Sequence, residues 1–140
     1  MRSPVSFVTG FRFDLRGGVT YAPHRHRAVE IVFHAAGSGA LHLPGVAPTP
    51  FAAGEASICP ANQVHHQAMA EPGTDLCLLL MPRKDLAAPV SGPLITRGPL
   101  SPALRAEIDH LVAGPSAAGT AERAELDLRA ATVLAGLLAR

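Results

Sequence analysis

Gly18-Val-Thr-Tyr-Ala-Pro-His24-Arg-His26-Arg-Ala-Val-Glu30-Ile-Val-Phe-His34-Ala-Ala-Gly37 is the stretch on which the reading of this 140-residue chain turns. It places three metal-ligand types, His24, His26 and Glu30, within seven residues, between two glycines. In extended backbone, residues two apart point to the same face, so His24 and His26 can reach one ion together. Glu30 shares their parity, but on a straight strand it would lie roughly 13 Å beyond His26, at about 3.3 Å per residue. A shared ion therefore requires Arg27-Ala28-Val29 to bend, with Glu30 opening the next strand.

A second stretch, Gly54-Glu-Ala-Ser-Ile-Cys-Pro60-Ala-Asn62-Gln-Val-His65, reads as turn, short strand, turn and a histidine opening another strand. With His65 the set becomes three imidazoles and a carboxylate, a donor mixture suited to zinc, iron, manganese, nickel or copper. Zinc is the first expectation, since the donors suit it and it is redox-inert.

These stretches resemble the paired motifs of the cupin superfamily. The first motif is Gly, five residues, His-x-His, three or four residues, Glu, six residues, Gly. Gly18, His24, His26, Glu30 and Gly37 match it. The second is Gly, five residues, Pro-x-Gly, two residues, His, three residues, Asn; Gly54, Pro60 and His65 match. Asn62 stands in place of its glycine and Met69 in place of its asparagine. Asn accepts left-handed backbone almost as glycine does. Met69 takes away a polar pocket-liner, which argues against family-typical enzyme chemistry more than against metal binding.

Composition agrees with one globular domain: apolar residues make up 48% and charged ones 16%. A net charge of +1, with scattered Lys and Arg, leaves no electrostatic footprint for nucleic acid. The N-terminus lacks the apolar stretch of a signal peptide, and the longest apolar run, 76–81, is a strand's length. Cys59 and Cys77 form no Cys-x-x-Cys pair and read as buried thiols of a cytoplasmic protein that does not cross a membrane.

Outward from the two motifs, Val5 to Asp14 carries Val5, Phe7, Phe11 and Phe13 on one parity, with Gly10 interrupting, and reads as a bulged or bent strand. Val19 to Tyr21 starts another. Glu30 to Ala36 is apolar on both parities, as in a strand covered on both faces. Its Ile31, Phe33 and Ala35 face away from the ligands, toward a second sheet or a C-terminal helix. Short strands follow at 40–43, 51, 56–59, 64–69 and 76–81, and this spacing argues a jelly roll or barrel. The expected fold is mainly β: a cupin double-stranded β-helix over 1–85, a proline-rich linker over 86–100, and two α-helices over 101–140. Ser101-Pro102 is a helix start and Gly114-Pro115 a stop. Ser116 to Gly119 reads as a hinge, and Thr120 as the cap of a helix over 121–140. Leu126, Ala130, Val133, Leu137 and Leu138 form a stripe on it, and Glu125 with Arg129 an i, i+4 pair.

His34 reads either as lining of the far end of a ligand pocket or as a satisfied core histidine. Met69 reads as pocket lining, His66 as a surface residue, and His42 and His110 in surface or packing roles. The stripe on the last helix leads to an expected homodimer through that helix.

A cupin followed by a proline-rich linker and two helices resembles the N-terminal sensor and dimerisation half of AraC-type transcription regulators. The phrases His-x-His-x3-Glu-Ile-Val-Phe, Gly37-Ser38-Gly39 and Pro60-Ala-Asn62-Gln-Val-His65 carry that resemblance. It implies a small-molecule effector, and DNA contacts made only through a helix-turn-helix domain that these residues do not contain. The chain then reads as one cut short. The runner-up is a free-standing metal cupin enzyme of dioxygenase or sugar isomerase type.

Overall fold

A computed structural model describes residues 3–115 and 119–140. The strands are β1 (Val5–Leu15), β2 (Val29–Ala36), β3 (Gly39–His42), β4 (Thr49–Phe51), β5 (Ala56–Cys59), β6 (His66–Met69), β7 (Gly73–Pro82) and β8 (Leu94–Ile95). Two helices follow, α1 (Pro102–Val112) and α2 (Thr120–Leu138). A five-stranded antiparallel sheet in the order β1-β7-β2-β5-β8 faces a three-stranded sheet in the order β4-β3-β6. The helices lie on the other face of the large sheet, so the molecule has three layers.

Alternation along the strands explains the layering. Ile31 and Phe33 of β2, Ile58 of β5 and Leu76, Leu78 and Leu80 of β7 are buried together with Ile108 and Leu111 of α1 and Leu126, Ala130, Val133, Leu134 and Leu137 of α2. Each of these side chains other than Ala130 contributes about 1.5–3 kcal/mol by leaving water. Glu30 and Val32 point to the opposite face, into the space between the sheets. This is why β2 reads as apolar on both parities.

β1 departs from its expected single parity. The register against β7 shifts between Phe7 and Thr9, so the strand is bulged, at Val8 rather than at Gly10. One extra residue reverses the facing of everything beyond it. Val5 and Phe7 therefore join the helix-side core, while Phe11 and Phe13 line the inter-sheet cavity. Gly10 has a different task. A Cβ there would stand 2.6 Å from the Leu111 carbonyl oxygen, so the glycine admits the end of α1.

Gly37 ends β2 at φ +84°, a left-handed conformation that disfavours side chains. A Cβ there would also meet the Pro72 carbonyl at 2.6 Å. Val19 to Tyr21 forms no strand, only a bridge between Thr20 and Ala68. The stretch 86–100, expected as a linker, lays β8 against β5 and buries Val90 and Thr96, so it is joined to the large sheet.

Ser101 caps α1, accepting a hydrogen bond from the Leu104 amide, with proline in the first turn. α2 starts one residue earlier than expected, with Gly119 rather than Thr120 at its N-cap. Residues 116–118 of the expected hinge lie outside the described residues. Arg129 pairs with Glu125 at 3.1 Å and also with Glu107 of α1 at 3.0 Å, tying the two helices together.

Most of the stripe on α2 is buried inside the chain, with Leu138 left 38% exposed. Leu126, Val133 and Leu137 are 4%, 0% and 1% exposed, covered by the chain's own large sheet. These three side chains are therefore not on the outer face of α2, where Leu128 and Leu138 are exposed. The outer face of the large sheet around Phe33 is likewise covered by α1, whose Arg105 guanidinium sits 4.7 Å above the Phe33 ring.

Candidate metal centre and cavity

Pro23 precedes the first histidines, and the chain from Ala22 to His26 runs beside β6 without forming a full strand. His24 is tied to His65 by reciprocal backbone hydrogen bonds of 2.9 Å. The chain bends at Arg27-Ala28, as the spacing requires, and Glu30 returns on β2 beside Cys59. The turn 60–64 is held by the Asn62 amide donating to the His26 carbonyl at 2.6 Å. Asn62 adopts φ 65°, the left-handed conformation that its replacement of glycine demands.

The result is a cluster in which one donor atom each from His24, His26, Glu30 and His65 lies within 4.8 Å of the others. The imidazoles are pre-oriented. His24 Nδ1 lies 3.1 Å from the Ala22 carbonyl and His65 Nδ1 lies 2.8 Å from the Gln63 carbonyl. A carbonyl only accepts, so both Nδ1 atoms donate and both Nε2 atoms are left for a metal. His65 Nε2 stands 3.0 Å from Glu30 Oε1. His26 Nε2 stands 2.9 Å from Glu30 Oε2, yet out of line for a hydrogen bond, and is a buried nitrogen without a partner. Buried polar atoms are rarely left so. A cation at the centre of the four would satisfy it, and the donor set fits a divalent transition ion.

The electrostatics point the same way. Burial alone would raise the Glu30 pKa, but the hydrogen bond and charge of His65 and the charges of His26 and His24 outweigh it and hold Glu30 below its usual range. Burial would lower His65, but side-chain bonds to Cys59 and Glu30, with the Gln63 carbonyl, push it up to about 10. A raised imidazole stabilises the metal-free fold fully below about pH 6.5, and that contribution is lost as the pH rises through about 10. A metal must displace the His65 proton to bind. Zinc affinity should therefore rise about tenfold per pH unit between pH 7 and pH 9. Chelator-competition titrations would measure this, and an affinity independent of pH would contradict it.

Beside the cluster lies a cavity of about 280 Å³, walled by Phe11, Phe13, Leu15, Val32 and Cys77 and reached by Tyr21, His24, His26 and Glu30. Its remaining polar lining is Gln67 and Asp75. His34 and Met69, expected to line the pocket, stand one layer behind it and are buried. His34 stacks on Phe51 at 3.6 Å and is held between Asp75 Oδ1 at 2.9 Å and Ser57 Oγ at 2.7 Å. Gln67 Nε2 reaches both Met69 Sδ at 3.1 Å and Asp75 Oδ2 at 2.8 Å. Asp75 and Gln67 are the lining residues that sequence reasoning missed. Asp75 opens an apolar run and Gln67 follows two histidines, so neither sits in a recognisable pattern. His66 points away from the cluster, its ring stacked 4.5 Å from that of His42 across β3 and β6. Cys59 and Cys77 are free and buried.

No family model matches the chain, and no curated protein matches it. Solved structures do. The chain is similar to protein YhaK from Escherichia coli, with 14% identity over 69% of this chain and 44% of that one, and a TM-score of 0.56. The fold is a cupin jelly roll. Two further likenesses have TM-scores of 0.49. One is an RmlC-like cupin from Shewanella frigidimarina NCIMB 400, 17% identical over 59% of this chain and 72% of that one. The other is the DMSP lyase DddQ from Ruegeria pomeroyi DSS-3, 26% identical over 64% of this chain. This chain spans 42% of the lyase's length. These likenesses concern the cupin fold and do not choose between binding and catalysis. Among the described residues no helix is long and apolar enough to cross a membrane.

Proposed function

We propose that this cupin is the metal- and small-molecule-binding sensor domain of an AraC-type transcription regulator, acting on a DNA-binding module outside these 140 residues. The observation that supports this most is the double use of β2. Its Glu30 and Val32 face the metal cluster and cavity, while Ile31 and Phe33, alternating with them, form the bed on which α1 and α2 rest. An occupant of the cavity that bears on β2 thereby changes how the helices dock, which is what a sensor requires. His24, His26, Glu30 and His65 would hold one divalent ion, zinc by first choice. When bound, the ion supplies a Lewis-acidic anchor for an oxygen donor of the effector.

Hydrogen exchange tests the coupling. Saturating zinc should slow exchange of α1 and α2 amides by about tenfold or more, as expected if docking tightens by about 1.4 kcal/mol. Zinc binding that leaves both helices unchanged would remove the sensor reading.

A metal-dependent cupin enzyme of dioxygenase or sugar isomerase type is favoured by one observation. Asp75 lines the cavity and is held by the His34 imidazole, itself bonded to the Ser57 hydroxyl, and by the Gln67 amide, which is how a proton-transferring carboxylate is positioned. The two readings differ in outcome. A sensor releases its ligand unchanged, whereas an enzyme returns a product of altered mass or configuration.

A further inference from the structure

The cavity has two polar ends. At one stand His24, His26 and Glu30 of the metal cluster, and at the other Asp75 with Gln67. Asp75 pairs with His34 across β7 and β2, and His34 lies four residues beyond Glu30. At about 3.3 Å per residue this sets the backbone positions of Glu30 and Asp75 roughly 13 Å apart along the sheet. Val32, Cys77, Phe11 and Phe13 make the wall between them apolar.

Every hydrogen bond around Asp75 can be met with a neutral His34. The Ser57 hydroxyl donates to His34 Nε2, His34 Nδ1 donates to Asp75 Oδ1, and the Gln67 amide donates to Asp75 Oδ2. Among the described residues, no arginine or lysine is paired with Asp75. With His34 in its neutral form, the network presents a carboxylate, only 4% exposed, at the floor of an apolar cavity, where an occupant's ammonium group would meet its charge.

We propose that the cavity takes a zwitterionic small molecule, with an oxygen donor at the metal end and a primary ammonium group on Asp75, joined by an apolar chain of about six carbons. This deepens the proposed binding function and rests on it for the metal end only. His34 and Ser57 are positioning residues, holding the carboxylate toward the cavity. A six-carbon chain with a metal bond of about 2 Å at one end and a hydrogen bond of about 2.9 Å at the other is comparable in length to that backbone spacing.

The test uses the full chain loaded with zinc and four probes: 6-aminohexanoate, hexanoate, hexane-1,6-dioate and hexylamine. Calorimetry should show 6-aminohexanoate binding about tenfold or more tighter than hexanoate and the dicarboxylate, the worth of one charge-assisted hydrogen bond. Asp75→Asn keeps the side chain's shape and should abolish that preference while zinc content stays unchanged. Equal binding of the three carboxylates to the unaltered chain would overturn the proposal without any variant. So would an Asp75→Asn chain that keeps the preference, or the absence of binding by every probe bearing an ammonium group. Hexylamine separates the two ends. If the chain retains no zinc, the metal reading fails, while hexylamine binding that is weakened in Asp75→Asn still supports the ammonium site. Hexylamine binding equal in both chains would overturn it.

Discussion

Replacing Val133 and Leu137 together with Glu should unfold the chain. Both side chains are at or below 1% exposure, in the layer between α2 and the large sheet. Burying a carboxylate without a partner costs about 3–5 kcal/mol, and the stabilisation from two buried apolar side chains goes with it. Two such changes meet or exceed the whole stability of a typical domain, about 5–15 kcal/mol. Circular dichroism should show loss of the cooperative thermal transition. Leu128→Glu, on the exposed side of the same helix, is the control and should change stability by less than about 0.5 kcal/mol. A folded double variant would mean that α2 packs elsewhere. The sequence pattern alone would instead lead one to expect a folded monomer released from a dimer, because a stripe looks the same whatever covers it.

Replacing His26 and His65 with Ala should abolish stoichiometric metal binding. The pair supplies the unpartnered Nε2 of His26 and the oriented Nε2 of His65. Losing an outer partner of a metal ligand costs about 10–100-fold in affinity, and losing two direct ligands of four costs more. With zinc at about one hundred times its dissociation constant, the unaltered chain gains about 2.7 kcal/mol of stability. The double variant should gain none of it. His42→Ala with His66→Ala, which removes the stacked pair outside the cluster, should leave both zinc content and the stabilisation intact.

Much of this site was legible because its residues carry spacing with them. His24 and His26 share a face by parity. The distance to Glu30 demanded a bend that Arg27-Ala28 supplies, and Asn62 occupies the left-handed turn its motif position called for. The strand β2, the capped start of α1 and the near-even strand spacing are local patterns, legible from local residues. What escaped depends on registers that no single segment encodes. The bulge at Val8 exchanges the faces of Phe11 and Phe13, and only pairing with β7 shows where the extra residue lies. His34 and Glu30 share parity, yet His34 is sealed behind the cavity because Asp75, Ser57 and Phe51 arrive from other strands to cover it. Asp75 reaches the cavity through the same pairing. β8 hides in a proline-rich stretch because two residues suffice when β5 already offers an edge.

The sensor and enzyme readings alike call for one divalent ion on the cluster of three imidazoles and a carboxylate beside the cavity. X-ray absorption on chain purified without affinity tag or chelator, then saturated with zinc, probes that ion's surroundings. One zinc per chain is expected, with a first shell of nitrogen and oxygen at about 2.0–2.1 Å and imidazole scattering beyond it. A shell containing sulfur at about 2.3 Å would place the ion on Cys59 or Cys77 instead. That result, or a chain that binds no zinc at all, would contradict the assignment of His24, His26, Glu30 and His65.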